Sequence, residues 1–261
     1  MSQTAPPDLH PALTGRTIVI TGAGRGLGAA FAEACAREGA ALVLADINEE
    51  WGKATQQRIV AAGGTACFIP LDVSEPASVN DFARELATRH EAIDGLLNNA
   101  ALATGIGGKT FEEIDVDTWD RVMAINVRGP WLVTRALAPF LRRSRKGGRV
   151  LNLASDTALW GAPRLLHYVA SKGAVISMTR SLSRELGADG ITVNALAPGL
   201  VRVEATEYVP EERKQLYVDG AAIHRPQFPA DTVGAAIFFL SDAAAFISGQ
   251  ILPINGGFIS A

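Results

Sequence analysis

The sequence predicts a doubly wound, Rossmann-like α/β fold: one domain with about seven strands in a parallel sheet and helices on both faces. Three observations carry this expectation. Short apolar, β-branched runs alternate with longer helix-forming runs through most of the 261 residues. The short runs are apolar on both faces, as strands buried between two helical layers must be, whereas a sheet with one wet face would alternate. The first of them leads straight into a glycine-rich turn that opens a helix.

In order, Thr17 to Ile20 reads as a strand and Ala29 to Arg37 as the helix after the turn, stopped by Gly39. Ala41 to Ala45 and Ala66 to Pro70 read as strands, separated by a helix over Glu49 to Ala61. A helix over Ala77 to His90 leads to a fourth strand beginning at Gly95 to Leu97. Val122 to Leu141 reads as one long helix, Arg149 to Leu153 as a strand, Leu166 to Leu186 as a helix and Ile191 to Leu196 as a strand. Right-handed crossovers between parallel strands follow from this order. The domain is expected over 15–261, behind an extended N-terminal arm over 1–14 marked by Pro6, Pro7 and Pro11. A polar, proline-interrupted stretch over about 200–220, before the closing helix, is expected to form a lid.

Composition narrows the function. With 48% hydrophobic and 20% charged residues and a net charge of −3, the chain has no field to gather nucleic acid or anionic lipid. Its most apolar late run, Ala235 to Leu240, is far short of the roughly 20 residues that cross a bilayer. Cys35 and Cys67 stand apart, without ligand spacing, so neither a disulfide framework nor a metal site is expected. A cytoplasmic protein acting on a small molecule is the expectation. The basic run Arg142, Arg143, Arg145 and Lys146 reads as a solvated helix C-terminus.

The turn Thr21 to Gly28 lies where backbone N–H groups and a helix N-terminus can face a pyrophosphate, so Gly22, Arg25, Gly26, Leu27 and Gly28 are candidate dinucleotide contacts. Asp46 closes the second strand roughly 20 residues on, where a carboxylate accepts from ribose hydroxyls, with Ile47 beside it. That favours NAD. Arg25 in the glycine loop leaves NADP open, because a guanidinium can hold a 2′-phosphate. Asp72 with Val73, and Asn99 with Ala100 and Ala101, end the third and fourth strands, where this fold places ligands; turn chemistry explains them as well.

Tyr168 and Lys172 are four apart in a helical segment and share a face, so an ammonium lies close to a phenol that must lose a proton to act as a base. Ser155 closes a strand on the same sheet edge and can hydrogen-bond a substrate oxygen, or simply cap a turn.

Thr21-Gly-x-x-x-Gly-x-Gly28, Asn98-Asn-Ala100, Asn126, Ser155, Tyr168-x-x-x-Lys172 and Pro198-Gly199 resemble, in that order, the motifs of the short-chain dehydrogenase/reductase family, over Gly15 to Gly257. The resemblance implies that Tyr168 is the acid/base. It implies that Lys172 holds the nicotinamide ribose and lowers the tyrosine pKa, that Ser155 orients the substrate oxygen, and that Asn126 organises a proton-relay water. It also implies cofactor contacts at Pro198, Gly199 and the Val201 backbone, and a homo-oligomer, tetramer or dimer. Ala101 stands where a glycine is usual, and the threonine after Pro198-Gly199 comes late, at Thr206.

Reversible hydride transfer between a secondary alcohol and its ketone is the expected reaction. Thr157, Leu159, Trp160, Leu165, Leu200 and Tyr208 are candidate substrate contacts, and their apolar character suggests a hydrophobic or aromatic substrate. Arg164, His167 or Arg202 would instead anchor an anionic one, although His167 is expected to face solvent or a neighbouring helix. An NADP(H)-dependent 3-oxoacyl or other ketone reductase is the alternative within the class. A non-catalytic dinucleotide sensor or scaffold is the alternative outside it, and the intact Ser155, Tyr168, Lys172 set argues against that.

Overall fold

The computed structural model describes residues 13–259. The chain runs β1 (Thr17–Thr21), α1 (Gly26–Arg37), β2 (Ala41–Asp46), α2 (Glu49–Ala61), β3 (Thr65–Pro70), α3 (Pro76–Arg89) and β4 (Gly95–Asn98). It continues through α4 (Val116–Met123), a π turn (Ala124–Arg128), α5 (Gly129–Arg142), β5 (Arg149–Leu153), a short α6 (Thr157–Trp160) and α7 (Leu166–Leu186). Then come β6 (Thr192–Pro198), α8 (Glu211–Gly220), α9 (Ala230–Leu240) and β7 (Ile251–Ile254). The seven strands form one sheet in the order β3-β2-β1-β4-β5-β6-β7, and every pairing is parallel.

Alternate strand residues feed two core layers, as the period of two requires. Ile18, Ile20, Leu42, Leu44 and Leu151 pack under α1 and α9 with Phe31, Cys35 and Leu240. Val19, Val43, Leu96, Val150 and Val193 pack on the other face with Phe82 and Leu86 of α3 and Leu137 and Leu141 of α5. Strand order reverses between β1 and β4, and the crevice at the strands' C-terminal ends opens there.

Three details differ from the sequence expectation. The long helix expected over Val122 to Leu141 starts earlier, at Val116, where the Asp115 carboxylate caps it by accepting from the Thr118 N–H at 2.7 Å. It is also interrupted by the π turn that carries Asn126. The arm over 1–14 lies outside the described residues except at its end: Leu13 is buried in the core, and its N–H donates to the Glu38 carbonyl at 3.0 Å. Among the described residues, no helix is long and apolar enough to cross a membrane.

Candidate active site

The glycine turn is shaped by close approach. Gly22 has φ +63°, and a Cβ there would come within 2.8 Å of the Ala100 backbone. A Cβ on Gly28 would lie 1.9 Å from the Gly22 carbonyl oxygen. Gly26 is different: with φ +55° it would meet nothing closer than 3.7 Å, so its bare face is open. Asn99 braces the turn, donating from Nδ2 to the carbonyls of Thr21 (3.0 Å) and Gly22 (2.9 Å). The bare turn and the N-terminus of α1 together fit a pyrophosphate.

Asp46 ends β2, half-buried. Its Oδ2 accepts from the Gly24 N–H at 2.8 Å and its Oδ1 from the Asn48 N–H at 2.9 Å, so both oxygens are fixed while each keeps a lone pair. The Arg25 guanidinium lies 4.2 Å above the Trp51 ring, a cation–π shelf beside the acid. Ile47 is exposed at the lip. Asp72 does turn chemistry as well, taking the N–H and hydroxyl of Ser74 on one oxygen.

On the far side, α7 presents Tyr168 and Lys172. Lys172 is buried, and its Nζ donates to the Leu153 carbonyl at 2.7 Å while standing 5.6 Å from the Tyr168 ring centre. Burial pulls the lysine down to about 8 and pushes the Tyr168 phenol up to about 12, which the Ser155 hydroxyl only partly offsets. The lysine was expected to lower the tyrosine. Its ammonium, held beside the Tyr168 ring, has the sign that this role needs. The Ser155 hydroxyl oxygen accepts from the hydroxyl (2.9 Å) and the N–H (3.3 Å) of Thr157, so Thr157 aims the serine. Asn126 uses both Nδ2 hydrogens, on the Leu102 carbonyl and the Ser171 hydroxyl, and accepts from the Leu102 N–H on Oδ1. Any water it organises has to use the remaining Oδ1 lone pair or the backbone of the π turn.

A groove of about 460 Å³ joins the two sides. The structure brings to it Gly22, Arg25, Gly26, Leu27, Gly28, Asp46, Ile47, Asp72, Val73, Asn99, Ala100 and Ala101 from the first half of the chain. Ser155, Tyr168, Lys172, Pro198, Gly199 and Val201 come from the second. Trp51, Leu102, Thr104, Arg121 and Thr206 also line it and were not singled out as groove residues. Thr206, coming late after Pro198-Gly199, donates to the Val201 carbonyl at 2.7 Å and so buttresses that segment.

Six apolar or hydroxyl candidates stand back from the groove. Thr157 serves Ser155, Leu159 packs against the small core cluster that includes Val175 and Ile176, and Trp160 meets Tyr217 and Phe258 edge-on. Leu165 faces Gly107, and Leu200 lines a separate cavity of about 200 Å³ under α8. The Tyr208 hydroxyl donates to the Ala103 carbonyl at 2.7 Å, and Thr104 donates to the Ala205 carbonyl at 3.3 Å; these two bonds rest the stretch after β6 on the loop after β4. Arg202 pairs with Glu211, and Arg164 is exposed. His167, expected to face solvent or a neighbouring helix, is fully buried on the α7 stripe with Ser171, Val175 and Thr179 that faces inward.

The comparisons with known proteins agree with this geometry. A family model described as Enoyl-(Acyl carrier protein) reductase, one of those for short-chain dehydrogenases/reductases, matches residues 22–259. The chain belongs to the short-chain dehydrogenase/reductase family. It is 40% identical over 257 residues to a sorbitol dehydrogenase of Cereibacter sphaeroides, covering 94% of this chain and 98% of the relative. It is 33% identical over 244 residues to a meso-2,3-butanediol dehydrogenase of Serratia marcescens, covering 93% and 94%. A solved 3-oxoacyl-[acyl-carrier protein] reductase from Brucella melitensis superposes with TM-score 0.89 at 28% identity, covering 100% of this chain and 99% of that one. This short-chain dehydrogenase/reductase is therefore an oxidoreductase of alcohols and ketones that uses a nicotinamide dinucleotide.

Proposed function

We propose that the enzyme prefers NAD(H) and interconverts a secondary alcohol and its ketone, with Tyr168 as the proton-transferring group. One observation supports the cofactor preference above others: the Asp46 carboxylate is held by two backbone N–H groups beside the glycine turn, and its charge opposes a 2′-phosphate there. Arg25 stacks its guanidinium face on Trp51, which leaves its in-plane N–H donors able to receive such a phosphate and keeps NADP(H) as the alternative. A relative from Beutenbergia cavernae assigned as an NAD(P)-dependent gluconate 5-dehydrogenase carries NADP at low occupancy, so both cofactors belong in the test.

The glycine turn, Asp46 and the strand ends would hold the dinucleotide, which when bound supplies the hydride chemistry. The Ser155 hydroxyl fixes the substrate oxygen, and Tyr168 Oη takes its proton in oxidation or returns one in reduction. Lys172, anchored on Leu153, holds the ribose side of the site. For the substrate, the apolar candidates that suggested a hydrophobic molecule lie away from the groove. The relatives act, by name, on sorbitol and butanediol. A small secondary alcohol carrying a further hydroxyl is the reading these observations favour. Exposed Phe246, Leu252 and Trp131 support a homo-oligomer, and the two free cysteines suit a cytoplasmic setting.

The test is a panel of polyols, diols, apolar secondary alcohols and their ketones, followed by nicotinamide absorbance with NAD(H) and NADP(H). Turnover of a diol or polyol with NAD is expected. Exclusive use of NADP(H) on acyl ketones would replace this reading with that of a 3-oxoacyl reductase. Tight NADH binding without turnover of any member would leave a sensor.

A further inference from the structure

Ser155 is followed by an acid that the chemistry above does not use. Asp156 is 0% exposed, and its N–H donates to the Pro198 carbonyl at 3.0 Å. Its carboxyl receives two segments from far along the chain. Tyr217 of α8 donates its hydroxyl to Oδ1 at 3.3 Å, and Asn255, just after β7, donates from Nδ2 to Oδ2 at 3.5 Å. A Cβ on Gly199 would come 3.3 Å from Oδ2, so the stretch leaving β6 passes the same group. Around it, Tyr217 stacks on Phe258 with ring centres 4.7 Å apart, and Trp160 of α6 meets both edge-on. Helix α8 has little other anchorage, since none of its residues is fully buried.

We propose that Asp156 is a positioning residue: its carboxyl seats α8 and the C-terminal turn against the segment that presents Ser155, so that lid seating and one protonation event are linked. The seat is built from a single titratable acid and neutral donors. The titratable and charged groups facing it are Tyr217 and Arg213 from α8, the latter 5.4 Å over Trp160, and Tyr168 from α7, whose phenol the Asp156 charge pushes up. Arg202 and Lys214 line the adjoining cavity but are engaged by Glu211. The C-terminal turn contributes Asn255 and Phe258, which carry no charge.

The sign of the linkage follows from burial. Desolvation pushes Asp156 up to about 7, against the opposing pull of Asn255 and Tyr217. A carboxyl released by departure of the lid titrates near its ordinary value of about 4. The seated form thus holds the proton more tightly. Seating is strongest in acid, weakens as pH rises towards about 7, and is level above it.

The proposal rests on the role given to Ser155, but its test needs no substrate. Hydrogen exchange of the amides of residues 211–220 is measured on the full chain from pH 5 to 8.5, each rate divided by its intrinsic value at that pH. Protection of α8 is expected to fall roughly tenfold per unit up to about 7 and then hold steady. Asp156→Asn should abolish the slope. Tyr217→Phe, which keeps the acid, should lower protection several-fold at every pH while keeping the slope. On any substrate found by the panel, the wild-type substrate KM should rise with pH up to about 7, and Asp156→Asn, neutral at every pH, should remove that rise while leaving the NADH Kd unchanged. A flat wild-type profile, a slope that survives in Asp156→Asn, or a Tyr217→Phe profile that overlays the wild type would each overturn the assignment.

Discussion

Replacing Asp46 by Asn isolates charge from shape. The acid fixes the Gly24 and Asn48 N–H groups at 2.8 and 2.9 Å. Alanine would release both and loosen the turn, whereas Asn keeps an acceptor for one of them, at a stability cost of about 1 kcal/mol for the other. A 2′-phosphate on the adenosine ribose would bring a negative charge about 4 Å from the carboxylate, a repulsion of roughly 4 kcal/mol at an effective dielectric of 20. Asp46 is only half-buried, so solvent screening reduces this to about 1–3 kcal/mol, or roughly 5- to 150-fold in affinity. The NADPH-to-NADH ratio of Kd values, measured by nicotinamide fluorescence, should fall by that factor in Asp46→Asn. The fall should shrink with added salt. A ratio within twofold of wild type, at unchanged melting temperature, would refute the electrostatic argument.

Tyr168→Phe should lower turnover by at least about 10²-fold while leaving the NADH Kd within a fewfold of wild type, read by steady-state rates and fluorescence titration. Because burial holds the Tyr168 phenol up at about 12, alcohol oxidation, which needs the deprotonated form, should rise with pH through the neutral range. Ketone reduction, which needs the proton, should not; opposite slopes would remove Tyr168 as the acid/base. Gly28→Ala sets a methyl against the Gly22 carbonyl; a loss of about 1–3 kcal/mol, or roughly 3–10 °C in Tm, is expected by calorimetry, with weakened NADH binding.

What the sequence disclosed was local. Strand periodicity, the glycine turn, Asp46 closing β2 and the four-residue step from Tyr168 to Lys172 all lie within one turn or one helical repeat, and each can be read from its neighbours alone. The π turn at Asn126 could not, since its helix-forming residues carry no mark of the extra backbone residue. His167 sits on an inward stripe whose other members include Ser171 and Thr179, so no apolar pattern marks it as buried. The substrate candidates failed to meet in the groove for a related reason. Leu159, Trp160 and Leu200 are apolar because α6 and the stretch after β6 must pack, and composition does not separate that need from ligand contact.

The division of the groove has an engineering consequence. Everything expected to choose between dinucleotides comes from residues 22–73, while the groups proposed to move a proton come from 126–172. The two stretches meet at the seam between β1 and β4, where Asn99 bolts the glycine turn to the end of the fourth strand. This division along the chain gives an expected outcome: exchanging β1 to β3 for the corresponding block of an NADP-using homologue should alter which coenzyme is accepted without rebuilding the half proposed to handle protons, provided the bolt and the alanine backbone it rests against are left in place.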